Sequence, residues 1–259
     1  MSKAGAAATL TLVLASLLAG APTPASDWPQ FMRTSEHNGD AADEALALPL
    51  GLLAQIKLDD AVLASPAVVN GLVYVVDQMG TAYCVDPRAG EILWKSAPDK
   101  EKAMGSNTSS PGVTKGRMYY GTTAGTFHIL GCKDGKVVKT VAIGSPIVSA
   151  PTLANDSIYF QALDAVVRCL DLDGNEKWTW DHYKRYQEPP EITKAEAGHR
   201  GHPGSYDRPH YGGGDVAVSG MRVVTSIGWD LLCLEDKGKA AELAWCRRAP
   251  SGRDGAAPM

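Results

Sequence analysis

No block of like charge and no second long apolar run interrupts this chain of 259 residues. Its 25 basic and 29 acidic residues are spread along the sequence for a net charge of −4, so it has no basic stripe to neutralise phosphates, and nucleic acid is not expected as a partner. Beyond the first two dozen residues no segment approaches the roughly 18 consecutive apolar residues of a membrane-spanning helix. The Gly-x-Ser-x-Gly elbow of a serine hydrolase is absent, and Gly212–Gly214 opens no helix, so that run is a turn and not a phosphate cradle. No catalytic residue is assigned.

The N-terminus places Lys3 before an apolar run from Ala6 to Leu18 and follows it with small residues around Thr23–Pro24–Ala25. Residues 1–25 read as a secretory signal peptide cleaved near Ala25; the run is short for a retained anchor, which is the competing reading. Leu17-Leu18-Ala19-Gly20 precedes Ala21, where a lipid-carrying cysteine would be required. The mature chain is therefore expected to be exported, periplasmic or secreted, with no lipid and no transmembrane segment.

What fills the chain is a repeat. Residues 27–50 form an N-terminal arm and loop, 51–58 (GLLAQIKL) read as a strand, and from Ser65 one pattern recurs on the anchors Pro66, Pro111, Pro151 and Asp215. Each anchor opens an extended run. A turn follows at Asn70–Gly71, Lys115–Gly116, Asn155–Asp156 or Ser219–Gly220, then a β-branched and aromatic run (LVYVV, RMYYG, SIYFQ, MRVVT). The third run carries Cys84, Cys169 and Cys233, which stand at one common offset from Pro66, Pro151 and Asp215, and Ile129 takes the same place after Pro111. Cysteines that share a position with an isoleucine are small packing residues, so neither a disulfide nor a metal role is expected of them. Cys132 and Cys246 lie elsewhere and have no evident partner. The unit closes with a glycine turn (Gly90, Gly135, Gly174, Gly238) and a fourth strand bearing Trp94, Val138, Trp178 or Trp245, whose indoles are expected to wedge between sheets.

Four antiparallel strands in about 40 to 45 residues, repeated in one register, specify an all-β fold of the β-propeller type, since such a sheet is too small to bury its own faces. A hairpin-built sandwich would not repeat a register. The propeller spans residues 51–246, and 247–259 form a tail.

The pattern Cys84-Val-Asp86-x3-Gly90-x3-Trp94, its shortened echo Cys169-Leu-Asp171-x2-Gly174-x3-Trp178, and the mature start Asp27-Trp-Pro-Gln-Phe31 resemble quinoprotein-type (PQQ-like) propeller repeats. The family's Ala-x-Asp-x-x-Thr-Gly-x-x-x-Trp docking motif is matched with Cys84 for Ala and Ala89 for Thr. The resemblance covers about Asp27 to Trp245. It implies a ring of seven or eight blades, of which about four are present. Residues 52–58 then read as the fourth strand of the blade that would close the ring, so the chain is expected to be either a fragment or a half-ring that dimerises, with open edges prone to self-association. The family includes PQQ-dependent dehydrogenases, the propeller subunit of the outer-membrane β-barrel assembly machinery, and exported proteins that bind no quinone.

Pro151 and Asp215, the third and fourth anchors, are further apart than any other neighbouring pair, and the excess lies at 181–214. Glu191–Ala197 are expected to form a helical turn or two. This insertion holds His182, His199, His202 and His210; His199 and His202 with His210 or Asp207 reach a metal-ligand count, but the spacing matches no zinc signature and no metal is expected. In an up-and-down blade the insertion shares a face with Gln78–Gly80, Asp164 and Gly228–Trp229–Asp230. The candidate binding face therefore comprises Trp229, Asp230, His199, His202, Asp207, His210 and Tyr211, where loops on a rigid scaffold concentrate recognition. The expected function is a non-catalytic binding or scaffold module for a protein or other envelope component, with no cofactor. The alternative is a fragment of a PQQ-dependent dehydrogenase, with Trp229 stacked on PQQ and Asp230 or Asp215 on Ca²⁺; an adjacent Cys-Cys pair and a C-x-x-C-H haem site are absent.

Overall fold

The computed structural model of the chain describes residues 27–41, 48–97, 107–182, 184, 214–228 and 230–248. Among them are four antiparallel sheets of four strands, each in chain order. Blade 1 contains β1 (Ala67–Val69), β2 (Leu72–Val76), β3 (Ala82–Asp86) and β4 (Glu91–Ser96). Blade 2 contains β5 (Gly112–Thr114), β6 (Arg117–Gly121), β7 (Thr126–Gly131) and β8 (Val137–Ala142). Blade 3 contains β9 (Thr152–Ala154), β10 (Ser157–Gln161), β11 (Val166–Asp171) and β12 (Glu176–Asp181). Blade 4 contains β13 (Val216–Ser219), β14 (Arg222–Ile227), β15 (Asp230–Asp236) and β16 (Ala241–Arg248). The architecture is an incomplete β-propeller.

The hairpin turns follow from local chemistry. Asn70 and Gly71 take φ of 54 and 76, Lys115 and Gly116 of 48 and 73, and Asn155 and Asp156 of 51 and 52. Two successive left-handed residues make the turn whose twist matches that of the flanking strands. The fourth hairpin departs from expectation: Ser219 pairs with Arg222, so its loop is Gly220–Met221 and not Ser219–Gly220. The cause is that β13 is one residue longer than β1, β5 and β9, which moves the turn on by one.

A bulge corrects a second expectation. In every blade the register between third and fourth strands shifts just after the shared cysteine or isoleucine position, at Cys84/Val85, Ile129/Leu130, Cys169/Leu170 and Cys233/Leu234. The tryptophans pair with the cysteines (Cys84 with Trp94, Cys169 with Trp178, Cys233 with Trp245), and in blade 2 Ile129 pairs with Lys139. Lys139, not Val138, therefore holds the tryptophan position. Val138 is the extra residue of the bulge and stands half exposed.

A third expectation, a strand at 51–58, is also altered. These residues join no sheet and make no main-chain hydrogen bond to another segment among the described residues. They are still laid out with a period of two, since Ala54, Ile56 and Leu58 are half-buried while their odd-numbered neighbours are exposed. Ile56 and Leu58 pack on Val75, Tyr83 and Val85 of blade 1. The segment lies where a fourth strand would, but a ladder needs a third strand beside it.

Three apolar clusters fill the gaps between blades. Tyr74, Val76, Cys84, Met118, Tyr120 and Leu130 lie between blades 1 and 2. Tyr119, Phe127, Ile129, Ile158, Phe160 and Leu170 lie between blades 2 and 3, with Phe127 and Phe160 stacked at 4.6 Å. Tyr159, Val167, Cys169, Trp178, Val223 and Leu232 lie between blades 3 and 4.

One polar latch crosses each gap. Its donors are the second-strand tyrosine of one blade (Tyr74, Tyr119 or Tyr159) and the residue at the fourth-strand tryptophan position. Its acceptors lie on the next blade, at the end of the third strand or in the turn that follows it. Between blades 3 and 4, Tyr159 Oη donates to Asp236 Oδ2 at 2.7 Å and Trp178 Nε1 to Asp236 Oδ1 at 3.0 Å. Between blades 1 and 2, Trp94 Nε1 donates to the Cys132 carbonyl at 2.8 Å, and the Tyr74 hydroxyl meets the thiols of Cys132 and Cys84. Between blades 2 and 3, Tyr119 Oη donates to the Leu172 carbonyl at 3.2 Å, and Lys139 Nζ to Asn175 Oδ1 at 2.7 Å. Cys132, Leu172 and Asp236 occupy equivalent places in their blades, since each follows its anchor (Pro111, Pro151, Asp215) at the same offset. Gly135 is obligatory in the latch between blades 1 and 2: its φ is 67, and a Cβ there would stand 2.5 Å from the Trp94 ring.

The N-terminal arm ties the four innermost strands together. Trp28 exchanges two main-chain bonds with Val68, at 2.7 and 2.8 Å. The Pro29 carbonyl accepts from Val113 N at 2.7 Å, Gln30 Oε1 from Leu153 N at 2.7 Å, and the Ser35 carbonyl from Val218 N at 2.7 Å. His37 Nε2 meets Thr152 Oγ1 at 3.0 Å. An inner edge otherwise left unpaired is thus covered along its length.

Two outcomes are expected. Asp236→Ala leaves the buried Tyr159 hydroxyl and Trp178 indole without their acceptor and lowers stability by about 2–4 kcal/mol, whereas Asp236→Asn, which still accepts, costs less; denaturant melts compare the two. Burial lowers the pKa of His37 below its ordinary value, against the opposing pull of Asp215 and Glu36. The unfolded chain therefore takes up that proton first, and stability falls as pH drops below about 6.5. In His37→Gln this part of the pH dependence of thermal unfolding disappears.

Candidate binding face

Among the described residues, the loops between second and third strands of blades 1, 2 and 3 emerge beside the connections from blade 1 to 2 and from blade 2 to 3, and hydrogen bonds interlock them. Asn107 N donates to the Gln78 carbonyl at 3.0 Å, Ile147 N to the Thr122 carbonyl at 3.0 Å and Leu163 N to the Pro146 carbonyl at 2.9 Å. Gln78, Asp164 and Gly228 thus share one face.

Two carboxylates shape these loops from inside. Asp77 is fully buried; its Oδ1 accepts from the amides of Met79 (3.0 Å) and Thr81 (2.9 Å), and its Oδ2 from Tyr83 Oη (2.9 Å). Asp164 clasps both guanidinium nitrogens of the nearly buried Arg168, with Nη1 at 3.0 Å from Oδ1 and Nη2 on Oδ2. Arg168, Val141, Ile143, Thr179, Asp181 and Lys184 line a depression of about 410 Å³ between blades 2 and 3.

Toward the inner strands the connections form a polar collar. Ser109 Oγ donates to the Ser149 carbonyl at 2.8 Å and Ser149 Oγ to the Gln161 carbonyl at 2.8 Å. Gln161 Nε2 lies 2.8 Å from the Gly214 carbonyl, 2.8 Å from Thr225 Oγ1 and 2.9 Å from the Ser226 carbonyl, and Ala150 N donates to Asp215 Oδ1 at 2.9 Å. The Asn107 carboxamide and Gln161 Oε1 are buried at this rim without a hydrogen-bond partner among the described residues.

Of the residues expected at the site, Trp229, His199, His202, Asp207, His210 and Tyr211 lie outside the described residues, as does the helical segment 191–197. Asp230 is described, and it is buried: its Oδ2 is 3.0 Å from Nε2 of the equally buried His182, 48 positions away. The pair ties the residue that follows β12 to the first residue of β15. Both residues were expected on this face, but nothing in the sequence pairs them. The tyrosines of the latch and their acceptors were passed over, although the tyrosines share one offset from their anchors that was readable in the repeat. Asp215 is held by the Ala150 amide. Among the described residues no three His, Cys, Asp or Glu side chains gather as metal ligands. Burial pushes the Cys132 and Cys169 thiols up to about 11, so both are protonated at neutral pH.

Fold, repeat and latch define an incomplete propeller of four-stranded blades, whose repeats resemble those of quinoprotein-type (PQQ-like) propellers. A family model described as "Outer membrane protein assembly factor BamB" matches residues 78–197, just under half of the chain. The outer membrane protein assembly factor BamB of Moranella endobia (strain PCIT) is 28% identical over 101 residues, which is 39% of this chain and 25% of that protein. BamB of Shewanella oneidensis is 26% identical over 126 residues, 45% of this chain and 32% of that one. The matches thus span a third or less of these relatives' length. Among solved structures, quinohemoprotein alcohol dehydrogenase ADHIIG from Pseudomonas putida HK5 superposes with a TM-score of 0.64 at 19% identity, over 86% of this chain and 40% of that one. BamB from Moraxella catarrhalis superposes at 0.51 and 14% identity, over 74% and 49%. At these identities the superpositions establish the fold.

Because Asp230 and His182 are both buried, Asp230→Ala is expected to lower stability by about 1–3 kcal/mol, with Asp230→Asn closer to wild type. Urea unfolding at neutral pH separates the two.

Proposed function

We propose that this chain is an exported, non-catalytic propeller module that docks a protein of the cell envelope on its loop-rich face. The observation that carries this reading is the interlocking of connections and loops into one pre-ordered surface, since a rigid face loses little conformational entropy on binding a partner. The BamB relatives support it, because their name describes an assembly factor at the outer membrane. The carboxylates weighed for a calcium–quinone site are engaged by protein groups, Asp230 by His182 and Asp215 by the Ala150 amide, and a cation would have to displace both contacts. The signal-like N-terminus supports export.

Photo-crosslinking residues placed at Met79 and Leu163, on the loop-rich face, are expected to capture envelope proteins from intact cells. The same residues at Lys115 and Asn155, on the hairpin-turn face, are not. Equal capture from both faces would overturn the docking assignment. Added PQQ and Ca²⁺ are expected to leave the thermal midpoint unchanged, and a saturable rise would favour the dehydrogenase reading instead.

A further inference from the structure

The three gaps between blades bring the same two positions together. One is the shared third-strand position of the earlier blade (Cys84, Ile129 or Cys169), and the other is the latch position of the next blade (Cys132, Leu172 or Asp236). Between blades 2 and 3 these are Ile129 and Leu172, packed in one cluster. Between blades 3 and 4 they are Cys169 and Asp236, which converge on Tyr159: this tyrosine pairs with Cys169 in its own sheet and donates to Asp236 at 2.7 Å. Between blades 1 and 2 they are both cysteines, Cys84 and Cys132. Neither of the other two gaps has a sulfur on both sides.

The surroundings of this pair are well fixed. Cys84 is fully buried, with Tyr74 paired to it on one side and Trp94 on the other. Trp94 Nε1 holds the Cys132 carbonyl at 2.8 Å, and the Cys132 amide donates to the Gly116 carbonyl at 2.9 Å. The half-buried Cys132 packs on the cluster that contains Cys84, and the Tyr74 hydroxyl meets both thiols. In the other two latches the tyrosine donates to a carboxylate or a carbonyl oxygen, whereas here it meets sulfur, a weak acceptor. The gap with the weakest polar acceptors is thus the one that carries two thiols on facing sheets.

We propose that Cys84 and Cys132 are a disulfide-forming pair that staples blade 1 to blade 2 when the chain meets an external disulfide. The half-buried Cys132 reacts first: its thiolate attacks the external disulfide, forms a mixed disulfide and expels one thiolate. The Cys84 thiolate then attacks the Cys132 sulfur, forms the bond between blades and expels the second. The two protons lost by the protein thiols pass to the two expelled thiolates, so the external disulfide gains the two electrons that the pair gives up. Rotation of the two cysteine side chains brings the sulfurs together as the Tyr74 hydroxyl gives way. The pairing rests on the gap between blades; export would only supply an oxidising compartment.

The reduced, purified chain incubated with glutathione disulfide at about pH 8.5 is expected to lose two of its five thiols, and a non-reducing peptide map to link Cys84 with Cys132. Closing a loop of about 50 residues should raise the thermal midpoint by about 5–10 °C over the reduced chain. Burial pushes the Cys132 thiol up to about 11, so little thiolate is present at neutral pH, and the rate of linkage should rise roughly tenfold per pH unit from 7 to 9. Cys132→Ser is expected to melt with the reduced wild type and to gain nothing from the oxidant, whereas Cys246→Ser keeps the full gain. Five thiols retained after a day at pH 8.5, a glutathione adduct on Cys132 that never resolves onto Cys84, or a link to any other cysteine overturns the proposal. Because the readout uses the isolated chain, a failure of the export reading leaves it untouched.

Discussion

A tyrosine together with a tryptophan or lysine from one sheet, donating to the end of the third strand of the next or the turn after it, sets the spacing of everything else in this protein. A four-stranded sheet of strands three to eight residues long has two largely apolar faces and cannot cover either by itself. Stacking supplies the cover, but apolar contact between sheets is non-directional and would tolerate sliding. The latch removes that freedom. Its buried donors lose their partner if the blades shift, so each interface has one register at which both the apolar and the polar requirements are met. The bulge after the third-strand cysteine belongs to the same device, since it turns the tryptophan onto the cysteine's face of the sheet.

The chain treats its inner edges and its end faces differently. Along the inner edge the N-terminal arm adds main-chain partners to β1, β5 and β13, while β9 is met by the side chains of Gln30 and His37. Met32, Arg33 and His37 adopt left-handed conformations in this stretch, so the arm bends through strained turns that its many tertiary bonds hold in place. At the two ends of the described array, the outward faces of blades 1 and 4 carry Ile92 and Trp245, each about a third exposed. The loop-rich face is the third kind of surface, in which the connections between blades 1 and 2 and between blades 2 and 3 are pinned to neighbouring loops and the polar groups left over among the described residues, on Asn107 and Gln161, sit at the rim.

The repeat was legible because its signals are local. Asn-Gly turns, alternating β-branched runs and the Gly-x3-Trp closing segment each act within a few residues, and their recurrence gave the blade count. The errors were also local in kind. Val138 was put in the tryptophan position because a bulge adds a residue without leaving a signature in a β-branched strand. The last hairpin was misplaced by one because β13 is longer by one. Residues 51–58 have the alternation of a strand, and the structure keeps the alternation while withholding the ladder.

The site was less legible than the fold, and the reason is distance along the chain. Asp230 was singled out beside a departure from the repeat, but its partner His182 is 48 positions earlier, and the acceptors of Tyr159 and Trp178 lie in another blade. The order of residues was enough to specify the sheets, since strand, turn and packing residue are set by contacts a few positions apart, repeated four times. Which side chains meet across blades and how the arm crosses the inner strands were settled only when the sheets stacked. Pairings between residues tens of positions apart leave no periodic mark in one chain, because each is made once and depends on the relative placement of whole blades.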